Sequence, residues 1–250
     1  MIKAIAIIPA RYASTRFPGK PLVMINAKSM IMRVYEQALK AKSLKDVYVA
    51  TDDVRIYNHV TENGGKVLMT SADHSSGTER CYEAFRILVD QKKCSENEII
   101  VNVQGDEPFI KPQQIDEITQ LFEYEDTEIA TLKKQISNEA DIADPNCVKI
   151  VSDIHGQALY FSRSPIPFVR DPGEQVLKPG LYFRHIGLYA YRSDILTSIC
   201  RISPSPLEIA EKLEQLRWLE NGFKIRVGTT EYENIAIDTP EDLLKVTNIT

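Results

Sequence analysis

The sequence is poor in the features that mark the common metal, cofactor and nucleic-acid classes. Among 250 residues there are four cysteines, Cys81, Cys94, Cys147 and Cys200, and no C-x-x-C pair. This spacing predicts reduced, packed thiols in a cytoplasmic protein. The four histidines are scattered as well, so zinc-ligand spacing is absent. Neither Gly-x-x-x-x-Gly-Lys-[Ser/Thr] nor Gly-x-Gly-x-x-Gly occurs, which removes the P-loop and the dinucleotide turn. No apolar run reaches the ~18 residues of a membrane helix. The first residues lack the basic, apolar and small-residue regions of a secretory signal, so no membrane partner is expected. Positive charge is also in short supply. Lys and Arg total 30 against 35 Asp and Glu, a net charge of −5, which argues against a nucleic-acid partner.

What is present is ordinary globular material, with 43% hydrophobic and 26% charged residues, enough for one large domain. Ile2 to Ile8 is an apolar, β-branched run too short for a helix, and it reads as a strand buried on both faces of a parallel sheet. It runs into a loop from Pro9 to Pro21 with three prolines, one glycine and the cations Arg11, Arg16 and Lys20. Proline fixes φ, so the loop is stiff. A rigid cationic loop at the carboxyl end of such a strand points to a polyanion, for example a triphosphate.

The apolar pattern then alternates. Met30, Ile31, Val34, Tyr35, Ala38 and Leu39 recur at helical spacing after a possible cap at Ser29. Strands follow at Asp46–Ala50 and Lys66–Thr70, with a helix over Arg55–Glu62 between them. This alternation predicts right-handed crossovers and a parallel sheet. The polar stretch Ser71–Arg80 leads into a helix for which Thr78 is a plausible N-cap. It reads either as a contact to a nucleobase or sugar, or as a plain capped helix start. Glu98–Val103 is a fourth buried strand and delivers Gln104, Gly105 and Asp106 to the side where the basic loop should lie. Glycine at 105 allows close backbone approach to a ligand. Asp106 reads either as an ion-pair partner of the loop or as a ligand for Mg²⁺, which favours one or two carboxylates plus substrate phosphates.

Pro112 suits the first position of the next helix, and Glu128–Lys133 reads as a strand. Cys147–Val151 and Ala158–Phe161 pair as antiparallel strands about residues 153–156, so a smaller antiparallel subdomain begins near residue 144. Strands are also expected at His185–Tyr191 and Phe223–Gly228. Leu207–Asn221 reads as a single amphipathic helix, with Glu211 and Gln215 one turn apart on a shared face. The short apolar segment 234–237 ends in Asp238, and Thr239 caps a last helix with Glu241 or Asp242 in its first turn.

Several stretches carry a resemblance: IPARYASTRFPGKPL (8–22), VATDD (49–53), MTSADHSSGTER (69–80), VNVQGDEP (101–108), DPNCVKIV (144–151), ALYFSR (158–163), RHIGLYAY (184–191), SPLEIAEKLEQLRWLENG (205–222) and IDTPEDL (237–243). In this order, over nearly the whole chain, they resemble the 3-deoxy-manno-octulosonate cytidylyltransferases, or CMP-Kdo synthetases. The resemblance implies a nucleotide-diphosphosugar-transferase-like α/β fold: a mostly parallel central sheet, helices on both faces and a smaller antiparallel subdomain. It implies one domain, with residues 1–143 serving the nucleotide and 144–250 serving the sugar and dimerisation. It also implies a homodimer that uses Mg²⁺ to make CMP-Kdo and pyrophosphate from CTP and Kdo. Residue by residue, Arg11, Ser14, Arg16 and Lys20 match the triphosphate loop, and Arg80 matches an arginine near the nucleotide. Asp106 and Asp238 match the metal carboxylates. Gln104, Arg163, His185, Glu211 and Gln215 fall in segments lining the sugar pocket. Lys20, Arg11 and Asp106 are the expected catalytic groups. The alternatives are a cytidylyltransferase for a related acid sugar, 8-amino-Kdo or a sialic acid, and a non-catalytic nucleotide-binding subunit, which would use the same cations. The chain departs from the pattern at Cys147 and in the loop 170–182.

Overall fold

A computed structural model describes residues 2–13, 17–171 and 177–247. Ser14 and Arg16 therefore lie outside the described residues, as do residues 172–176 of the loop 170–182. The first strand, β1 (Ala4–Ala10), shows why the sheet is buried on both sides. Ile5 and Ile7 enter one hydrophobic cluster, while Ala4, Ala6 and Ile8 enter the other. This two-residue period divides every apolar side chain of the strand between two cores.

A small hairpin, β2 (Met24–Ile25) and β3 (Lys28–Ser29), turns at Asn26 and leads into α1 (Met30–Leu39). Next come β4 (Leu44–Thr51), α2 (Val54–Glu62), β5 (Val67–Met69), α3 (Gly77–Asp90) and β6 (Ile99–Asn102). Then α4 (Pro112–Gln120), with the proline in its first turn, leads to β7 (Ile129–Gln135) and the short α5 (Glu139–Ala143), which the sequence reading did not anticipate. The hairpin β8 (Lys149–Ser152) and β9 (Ala158–Ser162) precedes the long β10 (Phe183–Arg192). The chain closes with α6 (Ser193–Ile199), α7 (Pro206–Glu211), α8 (Gln215–Glu220), β11 (Ile225–Thr229) and α9 (Pro240–Thr247).

The sheet order is β11-β7-β10-β6-β1-β4-β5, with β8 pairing β10 and β9. β6, β1, β4 and β5 are parallel neighbours, as the alternation predicted, and β11 runs parallel to β7. β10 is inserted antiparallel between β6 and β7. The stretches before and after residue 144 thus share one sheet. Side chains of α1, α2 and α4 pack on one face, and those of α3, α6 and α8 on the other. Among the described residues, no helix is long and apolar enough to cross a membrane.

Two local expectations are corrected. The helix expected over Leu207–Asn221 is broken between α7 and α8, where Lys212 takes a left-handed φ of 54°. Tertiary contacts produce the break. Arg163 donates to the freed carbonyls of Glu211 (Nε, 2.6 Å) and Lys212 (Nη2, 3.4 Å). The Glu211 carboxylate accepts from Ser162 Oγ (2.6 Å) and the Arg163 amide (2.9 Å). Carbonyls at a helix end need such donors, and a guanidinium supplies them here. Glu211 and Gln215 consequently do not share a helical face. The second correction concerns α3, whose N-cap is Ser76 rather than Thr78. Ser76 Oγ accepts from the Glu79 amide (3.2 Å), while Thr78 Oγ1 donates to Glu214 (2.7 Å).

Candidate active site

The parallel strands β1, β4, β5 and β6 all release their chains at one rim of the sheet, where open α/β sheets bind ligands. A cavity of about 300 Å³ opens there, lined among others by Arg11, Lys20, Arg80, Gln104, Asp106 and Asp238. Its walls bring together residues 227 positions apart in the chain, from Arg11 to Asp238. The basic loop is held by its own ends. The Gly19 amide donates to the Tyr12 carbonyl (3.0 Å), and the Arg55 guanidinium lies 3.3 Å from the Tyr12 ring centroid. Gly19 stands at φ 71°, a conformation that favours glycine, and it starts the short turn carrying Lys20.

Lys20 is the centre of the site. Its ammonium donates to Asp106 Oδ2 at 2.7 Å and to Asp238 Oδ1 at 3.1 Å. The two carboxylates therefore converge on one cation, on the same rim as Arg11. Asp106 is thus an ion-pair partner of the loop. The same geometry fits a divalent ion: two hard oxygen donors meet at one point beside an open cavity, where phosphate oxygens could complete a coordination shell. Gly105 lines the cavity, and its lack of a side chain also serves packing. A Cβ there would stand 2.7 Å from the Pro9 carbonyl, so the turn after β6 can press against the end of β1 only as glycine.

Arg80 is buried, with its guanidinium spanning the ends of β4 and β5. It donates to Thr70 Oγ1 (2.7 Å), the Ser71 carbonyl (3.2 Å) and Asp52 (3.2 Å). Beside it the α3 N-terminus enters the cavity through Ser75, Ser76 and Gly77, where free N–H groups and positive potential favour an anion. His74 also lines the cavity and was not singled out from the sequence. It is held by the Glu83 carboxylate, which also accepts from the Ser71 amide (2.8 Å). A second residue missed in the sequence is Glu107. It is buried, accepts a hydrogen bond from Asn234 Nδ2, and has a pKa raised to about 8 by burial and then by the neighbouring Asp106 charge. The signal for it was present, since the strand end delivers two successive acids into a region that must be dry.

Of the residues assigned to the sugar, only Gln104 lines this cavity. Arg163 sits at the end of β9, with its guanidinium on the carbonyls of Glu211, Lys212 and Pro145 (2.8 Å from Nη1). The fully buried Lys149 fixes the Arg163 backbone by donating to its carbonyl (2.6 Å). His185 on β10 packs edge-on against Phe161 and lies 5.3 Å from the Tyr189 ring. Burial pushes its pKa down to about 3, so it is neutral at pH 7. Its Nε2 is hydrogen-bonded to Thr131 Oγ1 (3.0 Å), whose hydroxyl also lies within reach of the Ile186 (3.2 Å) and Leu188 (2.9 Å) carbonyls. Gln215 is buried at the start of α8, and its Nε2 has no hydrogen-bond partner among the described residues. The same holds for the Tyr189 hydroxyl, whose ring packs edge-on against Trp218 of α8 at 5.2 Å. Buried polar atoms are normally satisfied, and these two lie on packed, adjoining elements. Glu214, its pKa raised by burial, links this region to α3 through Thr78.

A cationic cavity with paired carboxylates at the carboxyl ends of parallel strands defines a phosphate-handling α/β enzyme site. Residues 5–225 match the cytidylyltransferase family. The chain is 53% identical over 250 residues to a 3-deoxy-manno-octulosonate cytidylyltransferase of Parabacteroides distasonis, covering 98% of this chain and 97% of the relative. It is 50% identical over 249 residues to the protein of the same name from Cytophaga hutchinsonii, covering 99% and 97%. A solved structure of CMP:2-keto-3-deoxy-manno-octonic acid synthetase complexed with CTP superposes with a TM-score of 0.89 at 41% identity, covering 99% of this chain and 98% of that one. The chain belongs to the 3-deoxy-manno-octulosonate cytidylyltransferase family.

Proposed function

We propose that the chain transfers the cytidylyl group of CTP to the anomeric 2-hydroxyl of Kdo, releasing pyrophosphate and supplying CMP-Kdo for lipopolysaccharide synthesis. The observation that carries this reading is the convergence of Lys20, Asp106 and Asp238 at the mouth of a cavity lined by Arg11 and Arg80. A nucleotide-binding module needs the cations, but it has no use for two carboxylates aimed at one point. In the reaction the sugar oxygen bonds to the α-phosphorus, the bond from that phosphorus to the bridging oxygen of pyrophosphate breaks, and the hydroxyl proton is lost. Positioning and charge neutralisation carry such a transfer.

Arg11, Lys20 and the α3 N-terminus would hold the phosphates of CTP, as would Ser14 and Arg16 from the part of the loop outside the described residues. Arg80 and Gln104 would frame the nucleotide from the cavity wall. Asp106 and Asp238 would hold Mg²⁺, which when bound supplies positive charge at the phosphates and makes a nearby hydroxyl easier to deprotonate. On the sugar side the unsatisfied Tyr189 hydroxyl and Gln215 amide, with neutral His185, offer hydrogen bonds to a polyhydroxylated acid. Arg163 and Glu211 shape this side by fixing the α7–α8 break. The exposed apolar side chains Leu159 and Phe168 support a homodimer, and the four free thiols support a cytoplasmic location.

A pyrophosphate-release assay with each nucleoside triphosphate against Kdo, 8-amino-Kdo and a sialic acid tests the reading. Release is expected with CTP and Kdo together, and equal rates without any sugar acid would refute transfer. Gln215→Leu separates ligand binding from structure. Removing a buried unpaired amide should leave the melting temperature unchanged or higher, while the half-saturating Kdo concentration rises about 10-fold, as for one lost hydrogen bond of about 1.4 kcal/mol. An unchanged Kdo requirement would return Gln215 to the core.

A further inference from the structure

Asp238 does not belong to a strand, and its place opposite Asp106 needs an explanation. β11 ends at Thr229 on the edge of the sheet, and three strands (β7, β10 and β6) stand between it and β1. The chain must cross the ends of all three to bring Asp238 to Lys20. Residues 231–238 make this crossing without helix or strand. A segment of this kind is located only by the tethers it makes on the way.

The tethers are few and specific. Near the start, the Thr230 amide donates to the Lys133 carbonyl (2.9 Å), and Lys134 Nζ donates to the Glu231 carbonyl (3.0 Å). In the middle, Asn234 Nδ2 donates to the buried carboxyl of Glu107. At the end, the Ile237 amide donates to the Asp106 carbonyl (3.0 Å), and the Ile237 side chain is fully buried with Ile25 and Met30. The Glu107 carboxyl is itself seated. A Cβ on Gly187 would meet its Oε1 at 3.7 Å, and Gly187 lies where the β10–β7 register shifts between Ile186 and Tyr189. The irregularity in β10 thus leaves room beneath the site for a buried carboxyl next in sequence to Asp106. Lys134 also pairs with Glu233 near the start (3.2 Å), but the tether in the middle of the crossing, from Asn234, ends on the residue adjoining the first site carboxylate.

We propose that Asn234 and Glu107 are positioning residues for the reaction, forming a clamp that fixes the segment 231–238 so that Asp238 stands opposite Asp106. The clamp couples the two carboxylates mechanically. Whatever moves the turn 104–107 moves the anchor of the segment carrying Asp238. Neither residue touches the cavity, whose lining includes Asp106 and Asp238 but not Asn234 or Glu107. The inference rests on the reading of Asp106 and Asp238 as the cation-holding pair, and the test separates the two.

The experiment compares Asn234→Ala, Glu107→Gln and Asp106→Asn with the unsubstituted enzyme by Mg²⁺ titration of turnover and by hydrogen–deuterium exchange without substrates. Displacing a positioned group by an ångström costs up to about 100-fold in rate. For Asn234→Ala the expected results are a half-saturating Mg²⁺ raised about 10-fold or more and faster exchange confined to residues 231–238. Strands β1 and β6 should keep their protection. Glu107→Gln keeps an acceptor for Asn234 and should stay within about 3-fold of the unsubstituted enzyme, since a near-isosteric amide replaces the carboxyl. A lower melting temperature in Asn234→Ala with unchanged Mg²⁺ dependence and unchanged exchange at 231–238 would overturn the clamp. If Asp106→Asn itself keeps normal Mg²⁺ dependence, the reading of the carboxylate pair fails instead. Should Asn234→Ala not fold, exchange in the unsubstituted chain still decides. The Ile237 amide should be protected, and exchange there at the rate of an open loop would sink the proposal.

Discussion

Lys20→Ala is expected to lower turnover by about 10²–10³-fold, the cost of losing one preorganised group that meets charge developing in the transition state. The ammonium touches both site carboxylates and lines the cavity beside Arg11, which places it, among the described residues, to meet the departing pyrophosphate. The substitution has a second consequence that distinguishes it from simple damage. Lys20 is the ion-pair partner shared by Asp106 and Asp238. Removing it takes away the cation shared by two like charges that the fold holds close, a place that an added divalent ion can take. The Lys20→Ala protein should therefore gain thermal stability on adding Mg²⁺ alone, with a larger rise in melting temperature than the unsubstituted protein shows, even as turnover is lost. Near-normal turnover, or a melting temperature as indifferent to Mg²⁺ as that of the parent, would remove Lys20 from the centre of the site. Lys20→Arg should not restore activity, because the planar fork cannot replace a compact ammonium between two carboxylates.

The first half of the site was legible because its residues are fixed by local pattern. Buried parallel strands read as unbroken apolar runs, and polar residues that follow such runs sit at the ligand rim. Arg11, Lys20 and Asp106 were found in this way. The α3 N-cap was legible too, since Ser76 and Glu79 have capping-box spacing, but the reading chose Thr78, whose hydroxyl is instead engaged by Glu214 from α8. That choice failed because nothing local announces a partner 136 positions away. The break at Lys212 failed for the same kind of reason. A run of good helix formers continues through it, and only Arg163, reaching in from β9, makes the left-handed residue tolerable. The antiparallel insertion of β10 between β6 and β7 could not be read from an apolar run that looks alike in either direction. Asp238 was identified by resemblance. Its meeting with Asp106 depends on the irregular segment before it, which carries no period, and on the buried Glu107, which looked like one more acid in a turn.

The most direct test of the convergence of Asp106 and Asp238 is the Mg²⁺ dependence of CMP-Kdo formation by Asp106→Asn. The substitution keeps the size of the side chain and removes its charge, so the cavity and the Ile237 tether to the Asp106 carbonyl should survive. The melting temperature should fall only modestly, because Lys20 keeps its second ion-pair partner, Asp238, and the near-isosteric amide can still accept a hydrogen bond from the ammonium. Turnover at low Mg²⁺ should fall steeply, since losing one of two carboxylates weakens the hold on the ion and leaves more of it to the phosphates. The predicted result is a loss of at least about 10³-fold at low Mg²⁺, about 4 kcal/mol of transition-state stabilisation, with only partial recovery at high Mg²⁺ or with Mn²⁺. A folded Asp106→Asn enzyme that forms CMP-Kdo with the Mg²⁺ dependence of the parent would contradict the account.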